Sequence, residues 1–268
     1  MGRNYRICKR CIMDTSDPHI TFDKNGYCNH CISYFKHAEK YLFVNGNRKK
    51  KIEEILREIK NKGKGKEYDC IVGLSGGVDS TYTAYISRKF GLRPLCVHLD
   101  NGWDSELAQK NIEMIVKKLG FDLFTYVIDW EEFKDIQLSY LKASVVDVEV
   151  PTDHAITAVL YRVASKRGIK FILSGNNIVT ESIMPDSWFH RNKNDLVNLK
   201  DIHRHYGTMP LKTFPTLGLL KKIYFHFIKG IRVIPILNFV PYNKEQAKEI
   251  IKKELGWKDY GYKHYEQH

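Results

Sequence analysis

A short apolar run, Cys70-Ile71-Val72-Gly73-Leu74, passes straight into Ser75-Gly76-Gly77-Val78-Asp79-Ser80-Thr81 and then into a helical pattern, a succession that few folds accommodate. Two adjacent glycines let the backbone take a positive φ and approach another group closely, and a helix starting just after them offers unpaired N–H groups and its positive dipole end. A phosphate fits such a turn. Ser75, Ser80 and Thr81 add hydroxyl donors, and Asp79 is placed to hold a magnesium ion. A lone Gly-Gly pair would equally suit an ordinary capped strand-to-helix turn.

Apolar runs continue to alternate with amphipathic stretches. The pattern predicts strands at 69–74, 94–99, 123–128 and 170–173, with helices at 79–90, 105–119, 130–143 and 152–166. Such alternation is the signature of an α/β fold, a parallel sheet with helices on both faces. A charged helix is expected over 48–61, and past Asn176 the periodicity indicates helices at 196–205, 217–229 and 244–255. The expected organisation is a cysteine-rich module over 1–47, a helix and linker over 48–67, the sheet core over 68–182, and a mostly helical substrate or partner region over 183–268.

Cys8-x2-Cys11 and Cys28-x2-Cys31, separated by 16 residues, have the spacing of a two-knuckle zinc ribbon. Four thiolates would close the coordination sphere, so the expected zinc is structural; iron or a redox dithiol are the alternatives. Cys70 and Cys96 fall inside strands and read as small buried hydrophobes. The start of the chain lacks an apolar signal segment, so a cytoplasmic location with reduced cysteines is expected. Lysines 221, 222 and 229 and Arg232 interrupt the longest apolar stretch, 217–239, which argues against a membrane span and leaves at most contact with a surface. A net charge of +12 attracts anions without choosing among nucleic acid, acidic membranes and phosphorylated substrates.

In its strand–loop–helix setting, Ser-Gly-Gly-Val-Asp-Ser at 75–80 resembles the PP-loop of the ATP pyrophosphatases, the group that contains GMP synthetase, NAD synthetase, asparagine synthetase, argininosuccinate synthetase and several tRNA-modifying enzymes. It lacks the Gly-Lys-Ser/Thr ending of a Walker A loop. The resemblance implies ATP and magnesium as cofactors. A substrate oxygen attacks the α-phosphate, pyrophosphate leaves into a loop made by Ser75, Gly76, Gly77, Val78, Asp79 and Ser80, and the adenylated carbon accepts nitrogen or sulfur. Asp79 and Ser80 would be catalytic. Asp100 and Asn101, closing the second strand, are candidates for the adenine pocket, with a polar turn as the alternative. Ser174, Gly175 and Asn176, followed by Glu181, are similar to the NAD synthetase arrangement of a Gly-Asn turn with a catalytic, magnesium-binding Glu.

The two cysteine pairs flanking Phe22-Asp23-x2-Gly26, the loop at 75–80, His98-Leu99-Asp100-Asn101-Gly102-Trp103, the helix start Pro151-Thr152-Asp153-His154, Ser174-Gly175-Asn176-Asn177-x3-Glu181, Glu254-Leu255-Gly256-Trp257 and the 260–266 segment together resemble the N-acetyl sugar amidotransferases of surface-polysaccharide (O-antigen) biosynthesis. That resemblance implies adenylation of the acetamido oxygen of a nucleotide-linked sugar and displacement of AMP by ammonia, leaving an acetamidino sugar. No cysteine stands where a glutaminase nucleophile would, so ammonia is expected from partner subunits that resemble the glutaminase and cyclase of imidazole glycerol phosphate synthase. The resemblance also implies a chain that continues past His268. A homodimer stays open. A tRNA-modifying enzyme is the alternative, disfavoured by the lack of catalytic cysteines, and with it nucleic acid as a partner. Trp188, His190, Arg191, Lys193 and Lys200 are candidates for the sugar nucleotide's phosphates, and Asp153 or His154 for orienting magnesium or the attacking group.

Overall fold

The computed structural model describes residues 4–42, 48–185, 188 and 192–260. Its centre is a five-stranded, all-parallel sheet of β1 (Cys70–Gly73), β2 (Pro94–Asp100), β3 (Asp122–Val127), β4 (Phe171–Ser174) and β5 (Arg232–Pro235), ordered β3-β2-β1-β4-β5. Between them lie α3 (Val78–Lys89), α4 (Glu106–Leu119), α5 (Trp130–Lys142), α6 (Val150–Arg167), α7 (Ile178–Glu181), α8 (Leu196–Tyr206) and α9 (Leu219–Ile223), the last continuing as a π-helical turn over Tyr224–Ile228. Ahead of the sheet come α1 (Asn29–Tyr41) and α2 (Arg48–Lys62), and α10 (Lys244–Leu255) follows it. The α/β fold expected from the alternation of patterns is the fold observed.

Side-chain alternation along each strand divides the core in two. Cys70, Val72, Cys96, Phe171, Leu173 and Ile234 face one side, where Ile52, Ile55 and Ile59 of α2 and the buried stripes of α3, α4 and α10 pack on them. Ile71, Leu95, Val97 and Ile172 face the other, covered by α6 and Phe225. A third apolar cluster joins α5 to α8 through Phe133, Ile136, Tyr140 and Leu199. Helix ends obey local chemistry: the Ser105 hydroxyl caps α4 and the Asp129 carboxylate caps α5, while Gly120 and Gly168 close α4 and α6 in the left-handed region.

The last third departs from the helical expectation. Residues 232–235 supply the sheet's fifth strand, pairing with β4 from Phe171↔Arg232 to Ser174↔Pro235. A four-residue strand ending in proline at an edge carries too little periodicity to be separated from its helical flanks. α1 also goes unannounced, because its N-cap is Cys28, whose sulfur accepts from the Cys31 N–H in place of the usual Ser or Asp. Among the described residues no helix is long and apolar enough to cross a membrane.

The order of connection places the functional end. From β1 the chain winds outward through β2 to β3, then returns to the other side of β1 for β4 and β5. This reversal opens a crevice beyond the carboxyl ends of β1 and β4, where ligands of open parallel sheets bind. The Ser-Gly-Gly loop follows β1 and the Ser174-Gly175-Asn176 turn follows β4.

Candidate functional site

At the β1 exit the chain takes its left-handed turn at Gly76, φ +78°, and α3 begins after Gly77 with no side-chain cap, leaving its first N–H groups for another partner. The Gly76 carbonyl accepts the indole N–H of Trp257 at 2.7 Å and the Tyr260 hydroxyl at 3.1 Å. Since C=O and N–H of a trans peptide point oppositely, this clasp turns the Gly77 N–H away from Trp257 and toward the Ser75 hydroxyl, 3.5 Å away. A Cβ on Gly76 would lie 3.0 Å from the Ala108 carbonyl oxygen and 3.1 Å from the Tyr260 hydroxyl. The Ser75 and Ser80 hydroxyls sit 3.1 Å apart on the open side, and Ser80 also donates to the Gly77 carbonyl. Thr81 does not join them, being fully buried with no partner for its hydroxyl among the described residues. Val78 packs its side chain in the core and offers the loop only backbone.

Directly across the crevice, Gly175 abuts this loop: a Cβ there would meet the Asp79 carbonyl carbon at 3.0 Å and the Ser80 nitrogen at 3.1 Å. Ser174 donates to Asn176 Oδ1 at 2.9 Å, and Asn177 caps α7 by accepting the Thr180 N–H at 3.0 Å. α7 carries the exposed Glu181. Two residues that sequence reasoning missed complete the cluster. The Tyr242 hydroxyl donates to Asp79 Oδ1, and the Lys244 ammonium lies 3.6 Å from Asp79 Oδ2. Burial first, then the hydrogen bond to Asp79 and the charges of Asp79, Tyr82 and Glu181, push the Tyr242 hydroxyl well above its ordinary pKa. The available signal was Asn243, a clear N-cap for α10 that accepts from Gln246; it locates Lys244 on a helix but says nothing about Asp79.

Asp100 and Asn101, at the end of β2, spend their carboxylate and amide oxygens on the N–H groups of Gly102 and Trp103, so both build the local turn. His98, nearly buried, supports the loop from below. Its Nδ1 is 2.9 Å from the Leu74 carbonyl and its Nε2 3.0 Å from Asp104 Oδ2. With an acceptor facing each nitrogen, the ring fits best with both protons. Burial lowers its pKa, but the Asp104 hydrogen bond and charge and the Leu74 carbonyl outweigh burial, and the net direction is upward.

Residues 151–154 form the start of α6, as expected, but serve structure. His154 is fully buried, accepting the Leu217 N–H at Nε2 and donating from Nδ1 to the Lys193 carbonyl, and burial lowers its pKa. Asp153 holds the Lys193 ammonium at 2.6 Å, with Asp147 at 3.0 Å, so Lys193 is already paired. Lys200 and Trp188 are exposed, and His190, Arg191 and the 261–266 segment lie outside the described residues.

The four N-terminal cysteines converge. Their sulfurs all lie within 4.8 Å of one another, with Cys8–Cys31 at 3.8 Å and Cys11–Cys28 at 3.6 Å. Zinc–sulfur bonds of about 2.3 Å in a tetrahedron put sulfurs about 3.8 Å apart, so the set fits a structural zinc. Burial raises the Cys8 thiol, but N–H groups of Cys11, Arg10 and Cys28 directed at its sulfur bring it below its usual value. Ile183, two residues past Glu181, packs against this cluster. Cys70 and Cys96 are fully buried, and burial pushes the Cys96 thiol to about 12 and the Cys70 thiol up as well, so neither is a nucleophile.

No protein-family model matches the chain. An uncharacterized protein of Methanocaldococcus jannaschii is 29% identical over 164 residues, 59% of this chain and 54% of that protein. GMP synthase [glutamine-hydrolyzing] of Pyrobaculum aerophilum is 39% identical over 83 residues, 31% of this chain and 16% of the synthase. tRNA(Ile)-lysidine synthase of Chlamydia pneumoniae is 34% identical over 70 residues, 25% and 22% of the two chains. The chain thus spans about half or less of the length of these relatives. Among solved structures, a predicted subunit of a tRNA methyltransferase from M. jannaschii superposes with a TM-score of 0.38 at 18% identity, covering 68% of this chain and 72% of that one. The NH3-dependent NAD synthetase of Campylobacter jejuni does so at 0.37 and 14%, covering 59% and 72%.

Three outcomes are expected. Gly175→Ala, whose added methyl would press on the α3 backbone, should cost about 1–3 kcal/mol in denaturant unfolding. Because the folded-state pKa of His98 lies above its unfolded value, its contribution should be complete below about pH 6.5 and fall away as pH rises through the folded pKa. His98→Gln should flatten that part of the stability–pH curve. Purified protein should contain stoichiometric zinc by elemental analysis, and a strong chelator should make residues 5–42 protease-sensitive while α3 to α6 stay protected.

Proposed function

We propose that this chain is an ATP-dependent, AMP-forming ligase component that adenylates an amide oxygen and admits ammonia at the activated carbon. The observation that carries this reading is the cluster at the β1–β4 crevice. There, the Gly77 N–H set by the Trp257 clasp and the Ser75 and Ser80 hydroxyls lie beside Asp79, which holds Tyr242 and Lys244, while Glu181 of α7 adds its charge at Tyr242. Donors and a cation suit a pyrophosphate, and paired carboxylates suit a hard divalent ion. The segment similarity to a glutamine-hydrolyzing GMP synthase supports nitrogen as the incoming group.

The loop binds the leaving pyrophosphate as the amide oxygen bonds to the α-phosphorus and the α–β bridging P–O bond breaks. Ammonia then adds at the amide carbon, a proton passes to solvent, and AMP departs with the former amide oxygen, leaving an amidine. Asp79 and Glu181 would hold magnesium, which offsets charge on the phosphates. Tyr242 and Lys244 hold Asp79 in place until then. Ser75 and Ser80 supply hydroxyl donors to the departing group.

For the acceptor, the N-acetyl group of a nucleotide-linked sugar is the reading taken from the motifs over the chain, with ammonia delivered by a separate glutaminase. Burial of Cys70 and Cys96 supports nitrogen over sulfur, since the other four cysteines are drawn together in one cluster. A tRNA acceptor is the second reading, favoured by the matched segment of tRNA(Ile)-lysidine synthase and by the +12 charge.

One assay separates them: AMP release from ATP with ammonium, comparing UDP-linked diacetamido sugars with bulk tRNA. The expected outcome is AMP formation that depends on the sugar nucleotide, falling by about 10²-fold or more in Asp79→Ala with the melting temperature little changed. AMP release driven by tRNA alone would refute the sugar acceptor. Turnover that survives Asp79→Ala would refute the site.

A further inference from the structure

The helical turn that leads into β5 is inside out. Surface helices turn their apolar side chains toward the core, yet here Leu220 and Ile223 of α9 and Phe227 of the π-helical turn after it face solvent. Leu220 is 84% exposed and Phe227 73%, with Leu219 and Ile228 beside them. The opposite side is anchored by Leu217 and by Phe225, which stacks on Tyr161 at 5.8 Å and an interplanar angle of 17°, so the display is held by packing. Val233 lies on the same α6 side of the sheet. Its β5 position pairs with Ile172, whose side chain points to the α6 face, and it is itself half exposed.

Charge selects the occupant. Residues 211–243 contain Lys212, Lys221, Lys222, Lys229 and Arg232 and no Asp or Glu. Arg232 lies on the other face, over the Phe171 ring and paired with Glu58, which leaves Lys221, Lys222 and Lys229 on the segment that carries the exposed apolar side chains. The cores of protein–protein interfaces are depleted in lysine. Helices that lie in the headgroup region of a bilayer combine Leu and Phe on one side with lysine at the boundary, and aromatic residues sit at that level. Half-exposed Tyr224, with the Lys229 ammonium 5.7 Å above its ring, has that character.

We propose that the 219–233 surface docks on an anionic phospholipid bilayer, inserting Leu219, Leu220, Phe227 and Ile228 to headgroup depth while Lys221 and Lys229 meet lipid phosphates. The phosphate loop stands at the carboxyl end of the strands and the patch on the flank of the α6 layer, so docking leaves the crevice open. The attachment is peripheral and salt-sensitive, and it is independent of the reaction assigned above.

The test is co-sedimentation of the full chain with vesicles of equal parts phosphatidylglycerol and phosphatidylcholine, against phosphatidylcholine alone, at low and high salt, with light scattering of the free protein. Binding is expected to the anionic vesicles only and to fall steeply with salt. L220E/F227E should weaken it by about tenfold or more with an unchanged melting temperature. Should that variant fail to fold, K221E, at an exposed charge, should weaken binding and reduce its salt dependence. Absence of binding to the anionic vesicles, or undiminished binding by the variants, would overturn the proposal. So would a dimer in free solution that L220E/F227E dissociates, which would make the occupant a second copy of the chain.

Discussion

The Gly76 carbonyl is the hinge of this structure. A backbone oxygen in a glycine turn has little to hold its direction, and here the Trp257 N–H and the Tyr260 hydroxyl hold it. Those residues are held in turn. α10 ends at Gly256 in the left-handed region, Trp257 is buried in the α3 core, and fully buried Asn111 of α4 exchanges two hydrogen bonds with the Lys258 backbone, at 2.9 and 3.0 Å. Each such bond nets about 1 kcal/mol, and leaving a buried partner unmet costs more. The end of the described chain thereby sets the face that the start of the sheet presents.

The sheet makes this economical because one topological fact places four loops together. Reversal of strand order at β1 brings the turns after β1 and β4 side by side, and Gly175 has no Cβ to hold them apart. The same end of the sheet receives His98 from β2, whose ring ties the Leu74 carbonyl to Asp104. Asp79 is thus reached from β1, its partner Tyr242 from the segment after β5, and the Glu181 charge from the turn after β4. Like charges at such a point repel unless cations or donors intervene, and Tyr242 and Lys244 do so at Asp79.

The cysteine module attaches to this end through Ile183, so a four-sulfur cluster too small to bury an apolar core of its own shares one with the α7 turn. Buried acids do comparable work further out. Glu132 and Asp135 of α5 accept the N–H groups of Thr213, Phe214 and Thr208, and Asp135 also accepts from His203. Burial raises the Asp135 carboxyl, but these donors more than offset it and hold the pKa below its usual value. Backbone amides rather than opposite charges fasten the 207–214 segment.

What the sequence by itself determined is what depends on neighbours in the chain. Apolar period and capping residues located the eight strands and helices from 70 to 174 within two residues, and adjacent glycines marked the phosphate loop. C-x2-C spacing marked a cluster whose sulfurs do converge. Tertiary structure alone decided the rest. Tyr242 meets Asp79 across 163 residues and Trp257 meets Gly76 across 181, and no local periodicity encodes either contact. Sequence pattern likewise named 217–229 a helix without saying which side faces out. That choice belongs to Phe225 and Tyr161, because a helix buries whichever face finds a complementary surface, and here the larger apolar face finds none among the described residues.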